Sequence, residues 1–83
     1  MAEHELLTVT ISRVDGAVFS GDVVSVQLPG IEGEMTILAN HKPLISPLSA
    51  GTLTITKENG AKENFEITSG TLEISSNHAT ILI

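Results

Sequence analysis

Apolar and polar residues alternate with a period of two along almost the whole chain. Leu7, Val9 and Ile11 alternate with Thr8, Thr10 and Ser12, and Val24, Val26 and Leu28 with Val23, Ser25 and Gln27. Leu53 and Ile55 lie between Thr52, Thr54 and Thr56, and Phe65 and Ile67 between Asn64, Glu66 and Thr68. Leu72 and Ile74 interleave with Thr71, Glu73 and Ser75, and Ala79, Ile81 and Ile83 complete the series. Successive side chains of a strand point to opposite faces. Each segment therefore has one apolar and one wetted face, as antiparallel sheets with one buried side require. No stretch carries the helical period of about 3.6 residues.

Turn chemistry falls between the apolar runs, at Asp15-Gly16, Ser20-Gly21, Pro29-Gly30, Glu32-Gly33, Asn59-Gly60, Ser69-Gly70 and Ser76-Asn77. Asn59-Gly60 is the strongest of these signals, because both residues tolerate the positive φ of a tight hairpin turn. Many short strands with regular turns predict a β-sandwich or barrel. The alternation lapses only between Pro29 and Gly51, which holds Pro29, Pro43 and Pro47 and the acidic tip Glu32-Gly33-Glu34. Proline disfavours regular ladders, so this stretch is expected to be a long ordered loop. Loops of that kind on a β scaffold often carry function.

Eighty-three residues make one domain, 1–83, with a thin stability margin. With no cysteine, no disulfide or thiolate metal cage can reinforce it. The core must be aliphatic, since the chain has two Phe and neither Trp nor Tyr. A net charge of -6 repels phosphate backbones, and aromatic platforms for stacking bases are missing, so nucleic acid is not an expected partner. The start Met1-Ala2-Glu3-His4-Glu5 lacks the basic and apolar regions of a signal peptide. No apolar run approaches the ~20 residues that span a bilayer, so a cytoplasmic or similar compartment is expected.

No enzyme chemistry emerges. The Ser and Thr residues occupy mostly outward strand positions, and none sits in a nucleophile elbow. His4, His41 and His78 lie in distant segments without metal-ligand spacing. For His41 a ring hydrogen-bonded to loop backbone is expected, and for His78 a solvent-facing position at the start of a strand. Gly30-x-x-Gly33 is flanked by Glu32 and Glu34, which would repel a phosphate, and no helix follows. No catalytic, cofactor or metal site is expected.

The segment Phe19-Ser20-Gly21, then Val24, Val26, Leu28 and Pro29-Gly30-x-x-Gly33-Glu34-Met35-Thr36-Ile37-Leu38-Ala39-Asn40-His41-x-Pro43-Leu44, resembles the epsilon subunit of F-type ATP synthases, called delta in mitochondria. The resemblance continues through Leu48, Gly51, Leu53 and Gly70-x-Leu72-Glu73-Ile74 and covers essentially all 83 residues. Thr36 stands where many members have Gly. The resemblance implies an all-β fold, a flattened antiparallel sandwich of two five-stranded sheets with about ten short strands. It implies a non-catalytic central-stalk (rotor) subunit that binds the gamma subunit and rests on the c-subunit ring, coupling proton flow to ATP synthesis. Such a subunit is peripheral to the membrane, on the cytoplasmic face of the bacterial inner membrane or on an organelle inner membrane.

Glu32, Gly33, Glu34 and Met35 are the residues expected to meet the c ring. His41, Pro43 and Leu44 are expected to hold the loop in shape, with Leu44 and Leu48 inserted in the core. Relatives continue into a C-terminal helical hairpin that can inhibit hydrolysis. These 83 residues are expected to lack that hairpin and, with it, the inhibition and the ATP site. Two other readings remain open. One is a lipoyl or biotinyl carrier, although Lys57 and Lys62, which bracket Glu58-Asn59-Gly60-Ala61, do not resemble its motif. The other is a stand-alone β-sandwich adaptor.

Overall fold

The computed structural model describes residues 5–83, so His4 lies outside it. Among these residues there are nine strands: β1 Leu7–Arg13, β2 Gly16–Val23, β3 Ser25–Gly30, β4 Gly33–Leu38, β5 Leu44–Leu48, β6 Gly51–Thr56, β7 Lys62–Ile67, β8 Gly70–Ser75 and β9 His78–Leu82. The count agrees with the expected number of about ten. The strands follow one hydrogen-bonded path, β2-β1-β9-β8-β5-β3-β6-β7, with β4 attached to β3. The path divides into two layers at β3. One edge of that strand is taken along its length by β4. The other is shared by β6, which pairs with Ser25, Val26 and Gln27, and by β5, which meets it only at Gly30↔Leu48. A sheet that changes partners within one strand curls on itself, and the result is a β-sandwich.

The alternation sorts side chains as expected. Leu7, Val9 and Ile11 of β1, Leu53 and Ile55 of β6, Leu72 and Ile74 of β8, and Ala79 and Ile81 of β9 are all buried. They join Val26, Leu28, Ile37, Leu48 and Ile67 in one core with no buried polar side chain among the described residues. On the outer faces, hydroxyls pair across strands: Thr8 donates to Asp22 at 2.7 Å, Thr52 to Glu66 at 2.7 Å and Thr54 to Asn64 at 2.9 Å. The sandwich closes where its terminal strands meet. Phe19 of β2 and Phe65 of β7 contact edge to face, with centroids 6.4 Å apart at 64°. Such pairs couple by about 0.5–1.5 kcal/mol beyond their buried area. A double-mutant cycle with Phe19→Leu and Phe65→Leu, read by urea melts, is expected to recover a coupling of that size. Additive losses would show that the rings do not close the sandwich.

Four local expectations change. The β1–β9 pair is parallel, Thr8↔His78 through Ser12↔Leu82, where alternation alone predicts antiparallel sheet throughout. Periodicity reports which face is buried and carries no strand direction. Val23, not Val24, is buried, because it ends β2 and Val24 lies in the corner before β3.

The stretch from Pro29 to Gly51 is mostly strand, containing β4 and β5. Pro29 and Pro47 sit inside strands, and the Pro29 carbonyl still accepts from the Ser49 N–H at 2.8 Å. Finally, the two-residue turn with positive φ at both positions falls at Ser76-Asn77, with φ 52° and 59°. At Asn59-Gly60 only Gly60 has positive φ, and the loop is longer. It is closed by the Gly60 N–H to Lys57 carbonyl bond and by the Asn59 Oδ1, which accepts from the Ala61 N–H.

Candidate interaction site

The β3–β4 hairpin is tight. Gly30 pairs with Gly33, leaving Ile31 and Glu32 alone at the tip. Gly33 has φ 133°, a conformation side chains resist. Gly30 is buried, and a Cβ there would stand 2.7 Å from the Gly33 carbonyl and 3.1 Å from the Met35 Cε. Ser49 braces this hairpin close to its tip, with its hydroxyl 3.2 Å from the Pro29 carbonyl.

Between the hairpin tip and β5 lies a groove of about 460 Å³, lined by residues 30–35 on one side and 44–47 on the other. Ile31 is 63% exposed and Ile45 71% exposed, so the groove has an apolar lip on each side. Glu32 and Glu34 stand exposed on the hairpin wall, and none of the lining residues is basic. The site is an apolar slot with an acidic rim. Among the described residues no group of three or more His, Asp or Glu could hold a metal ion. No helix there is long and apolar enough to cross a membrane.

The structure brings Glu32, Gly33, Glu34 and Met35 together on one wall of the groove. Met35 is half-buried against the core while the other three are exposed. Leu44 lines the opposite wall. Leu44 is only partly buried against the core, whereas Leu48 is 3% exposed. The expectation that both insert fully is therefore corrected: in β5, Leu44 lies near the open end and Leu48 at the layer junction. His41 and Pro43 are exposed in the β4–β5 connection, outside the main groove, and the His41 Nδ1 lies 2.8 Å from the Lys42 carbonyl oxygen. His78 is exposed at the start of β9, its Nε2 3.0 Å from the Thr10 hydroxyl.

Ile45, Ser46 and Pro47 fall in the Pro29–Gly51 stretch marked from the sequence but were given no site role there, and neither was Ile31, although an isoleucine beside a turn glycine and the adjacent Leu44-Ile45 pair were available signals. In a strand, two neighbouring apolar residues cannot both face one core. The lysines that a carrier reading needs are placed otherwise. Lys57 pairs with Glu63 and stands 5.9 Å from the Phe19 ring, and the hairpin tip is Glu58-Asn59.

This β-sandwich has counterparts in solved rotary assemblies. One chain of the Euglena gracilis mitochondrial ATP synthase, solved as OSCP/F1/c-ring, superposes with a TM-score of 0.88 at 24% identity, over 98% of this chain and 52% of that one. A chain of the Tetrahymena thermophila mitochondrial ATP synthase central stalk and c ring does so with a TM-score of 0.78 at 16% identity, over 98% and 65%. At those identities the likeness establishes the fold.

Sequence carries it further. Residues 6–83 match the ATP synthase delta/epsilon chain β-sandwich domain. The ATP synthase epsilon chain of Wolinella succinogenes is 40% identical over 94% of this chain and 60% of its own length. Those of Nitratiruptor sp. and Shouchella clausii are 39% and 40% identical, over 95% and 92% of this chain and 61% and 56% of theirs. The chain belongs to the ATP synthase delta/epsilon family. It spans somewhat more than half the length of these relatives.

Proposed function

We propose that this chain is a non-catalytic coupling component of the central stalk of an F-type ATP synthase. It joins the gamma subunit to the c ring in a complex peripheral to the membrane, on the cytoplasmic face if bacterial, and the groove between β4 and β5 faces the c ring. Family membership supports the stalk role. The observation that supports the docking face is the pairing of exposed Ile31 and Ile45 with the Glu32 and Glu34 carboxylates around one slot. A polar loop with basic residues beside an apolar contact fits such a surface. The apolar lips supply affinity, and the carboxylates set register and speed of association. Torque transfer demands a stiff body with two contact faces, which a sandwich with one continuous core meets.

The test is the double charge reversal Glu32→Lys with Glu34→Lys in the assembled synthase. Proton-driven ATP synthesis is expected to weaken, mostly at low salt, where surface charges are least screened, while gamma still co-purifies with the chain. Coupling equal to wild type at low salt would sink the assignment of this face.

A further inference from the structure

Asn40 and Asn77 both hold left-handed backbones, with φ 63° and 59°. Asn77 is a junction. Its Oδ1 accepts from the Asn40 N–H at 2.7 Å, its Nδ2 donates to the Leu6 carbonyl at 2.9 Å, and its own carbonyl accepts from the Thr8 N–H at 3.3 Å. Asn40 adds a bond from its Nδ2 to the Glu5 carboxylate at 2.6 Å. One residue in the β8–β9 turn thus ties the entry of β1 to the β4–β5 connection.

That connection is the short covalent link between the two walls of the groove. β4 carries Gly33, Glu34 and Met35, and β5 carries Leu44 through Pro47. The walls share no ladder: β4 pairs with β3, while β5 pairs with β8 and touches β3 only at Gly30↔Leu48. Their separation is therefore fixed at two places. One is the Gly30–Leu48 junction, near the hairpin tip. The other is the Asn40–Asn77 bond, which fastens the far end of β4 to the layer that holds β5. We infer that Asn77 is a positioning residue that sets the width of the groove. It does so through the connection, without touching whatever the groove binds.

The chain has no cysteine, so Glu32→Cys with Ser46→Cys places one spin label on each wall, and pulsed dipolar spectroscopy reads their separation. A single narrow distribution is expected in the otherwise native chain. Asn77→Gly keeps the positive φ of the turn and deletes both side-chain bonds. It is expected to broaden the distribution about twofold, as a segment freed of its ties samples more than one packing. Asn77→Asp keeps an acceptor for the Asn40 N–H and gives up only the donor to Leu6. It is expected to stay narrow, and it remains informative if the glycine variant does not fold. An unchanged distribution in Asn77→Gly, or a broadened one in Asn77→Asp, overturns the inference. A last arm rests on the groove being the c-ring face: unlabelled Asn77→Gly should bind the isolated c ring about tenfold more weakly, equivalent to ~1.4 kcal/mol. A broadened groove with undiminished c-ring binding would uphold the positioning role and overturn the docking assignment instead.

Discussion

Leu72→Ala is expected to destabilise the domain by about 2–5 kcal/mol, the range for emptying a fully buried leucine site. Leu72 is 0% exposed and lies in β8, between β5 and β9, opposite Ser46 and Ile81. Backbone ladders on both sides prevent the strand from collapsing into the void, which favours the upper part of that range. A domain of this size is stable by only about 4–12 kcal/mol in total, so one methyl cluster carries a large share. For a domain of 60–100 residues each kcal/mol lowers the melting temperature by about 4–8 °C. Leu44→Ala is the comparison, because it removes the same atoms from a half-buried site. Its cost should be less than half that of Leu72→Ala. Equal losses in parallel urea melts would show that Leu44 belongs to the core after all.

Gly30→Ala is expected to be the most damaging addition of a single methyl group within the groove. The new Cβ would meet the Gly33 carbonyl oxygen, 2.7 Å away and part of the same rigid hairpin, before it met the flexible Met35. Overpacking of this kind typically costs about 1–3 kcal/mol. Here relief requires the β3–β4 tip to open or Gly30 to leave Leu48, which is the one pair joining β3 to β5. The functional consequence should exceed the thermal one, because the groove is built on that junction. Differential amide exchange checks it: faster exchange at the hairpin tip and β5 is expected, with β1 and β9 unaffected. Uniform protection throughout would show that the junction tolerates a side chain.

The core was legible in the chain because burial on one face imposes a strict rhythm. Ile11, Leu53, Leu72 and Ile81 could each be placed inward from their neighbours alone. Strand direction was not legible, since a parallel pair such as Val9 with Ala79 looks the same in periodicity as an antiparallel one. The prolines misled for a related reason. Proline forbids a donor, not an acceptor, and at Pro29 it is the carbonyl that is used, by the Ser49 N–H just beyond β5. Glu32 and Glu34 could be marked as the acidic tip of an expected loop; both are exposed, but Glu34 lies in β4 beside the tip, and their c-ring partner comes from the family resemblance alone. Asn77 could not be weighted properly, because its importance arises only from what the fold sets beside it, whereas Ile45 was visible as one half of the Leu44-Ile45 pair.

The parallel pairing of β1 with β9 has a bearing on how the molecule is made. Residues 68 positions apart, such as Thr10 and His78, must meet before this layer exists. Among the described residues, the β1–β2 hairpin has no strand neighbour in its layer except β9. During synthesis the free edge of β1 therefore lacks its partner until residues 78–82 have been made. Contacts so distant along the chain make for slow assembly, and a strand edge left unpaired meanwhile invites association with other chains. The pairing of β9 with β1 removes that edge, so the slowest contact to form is also the one that protects the layer.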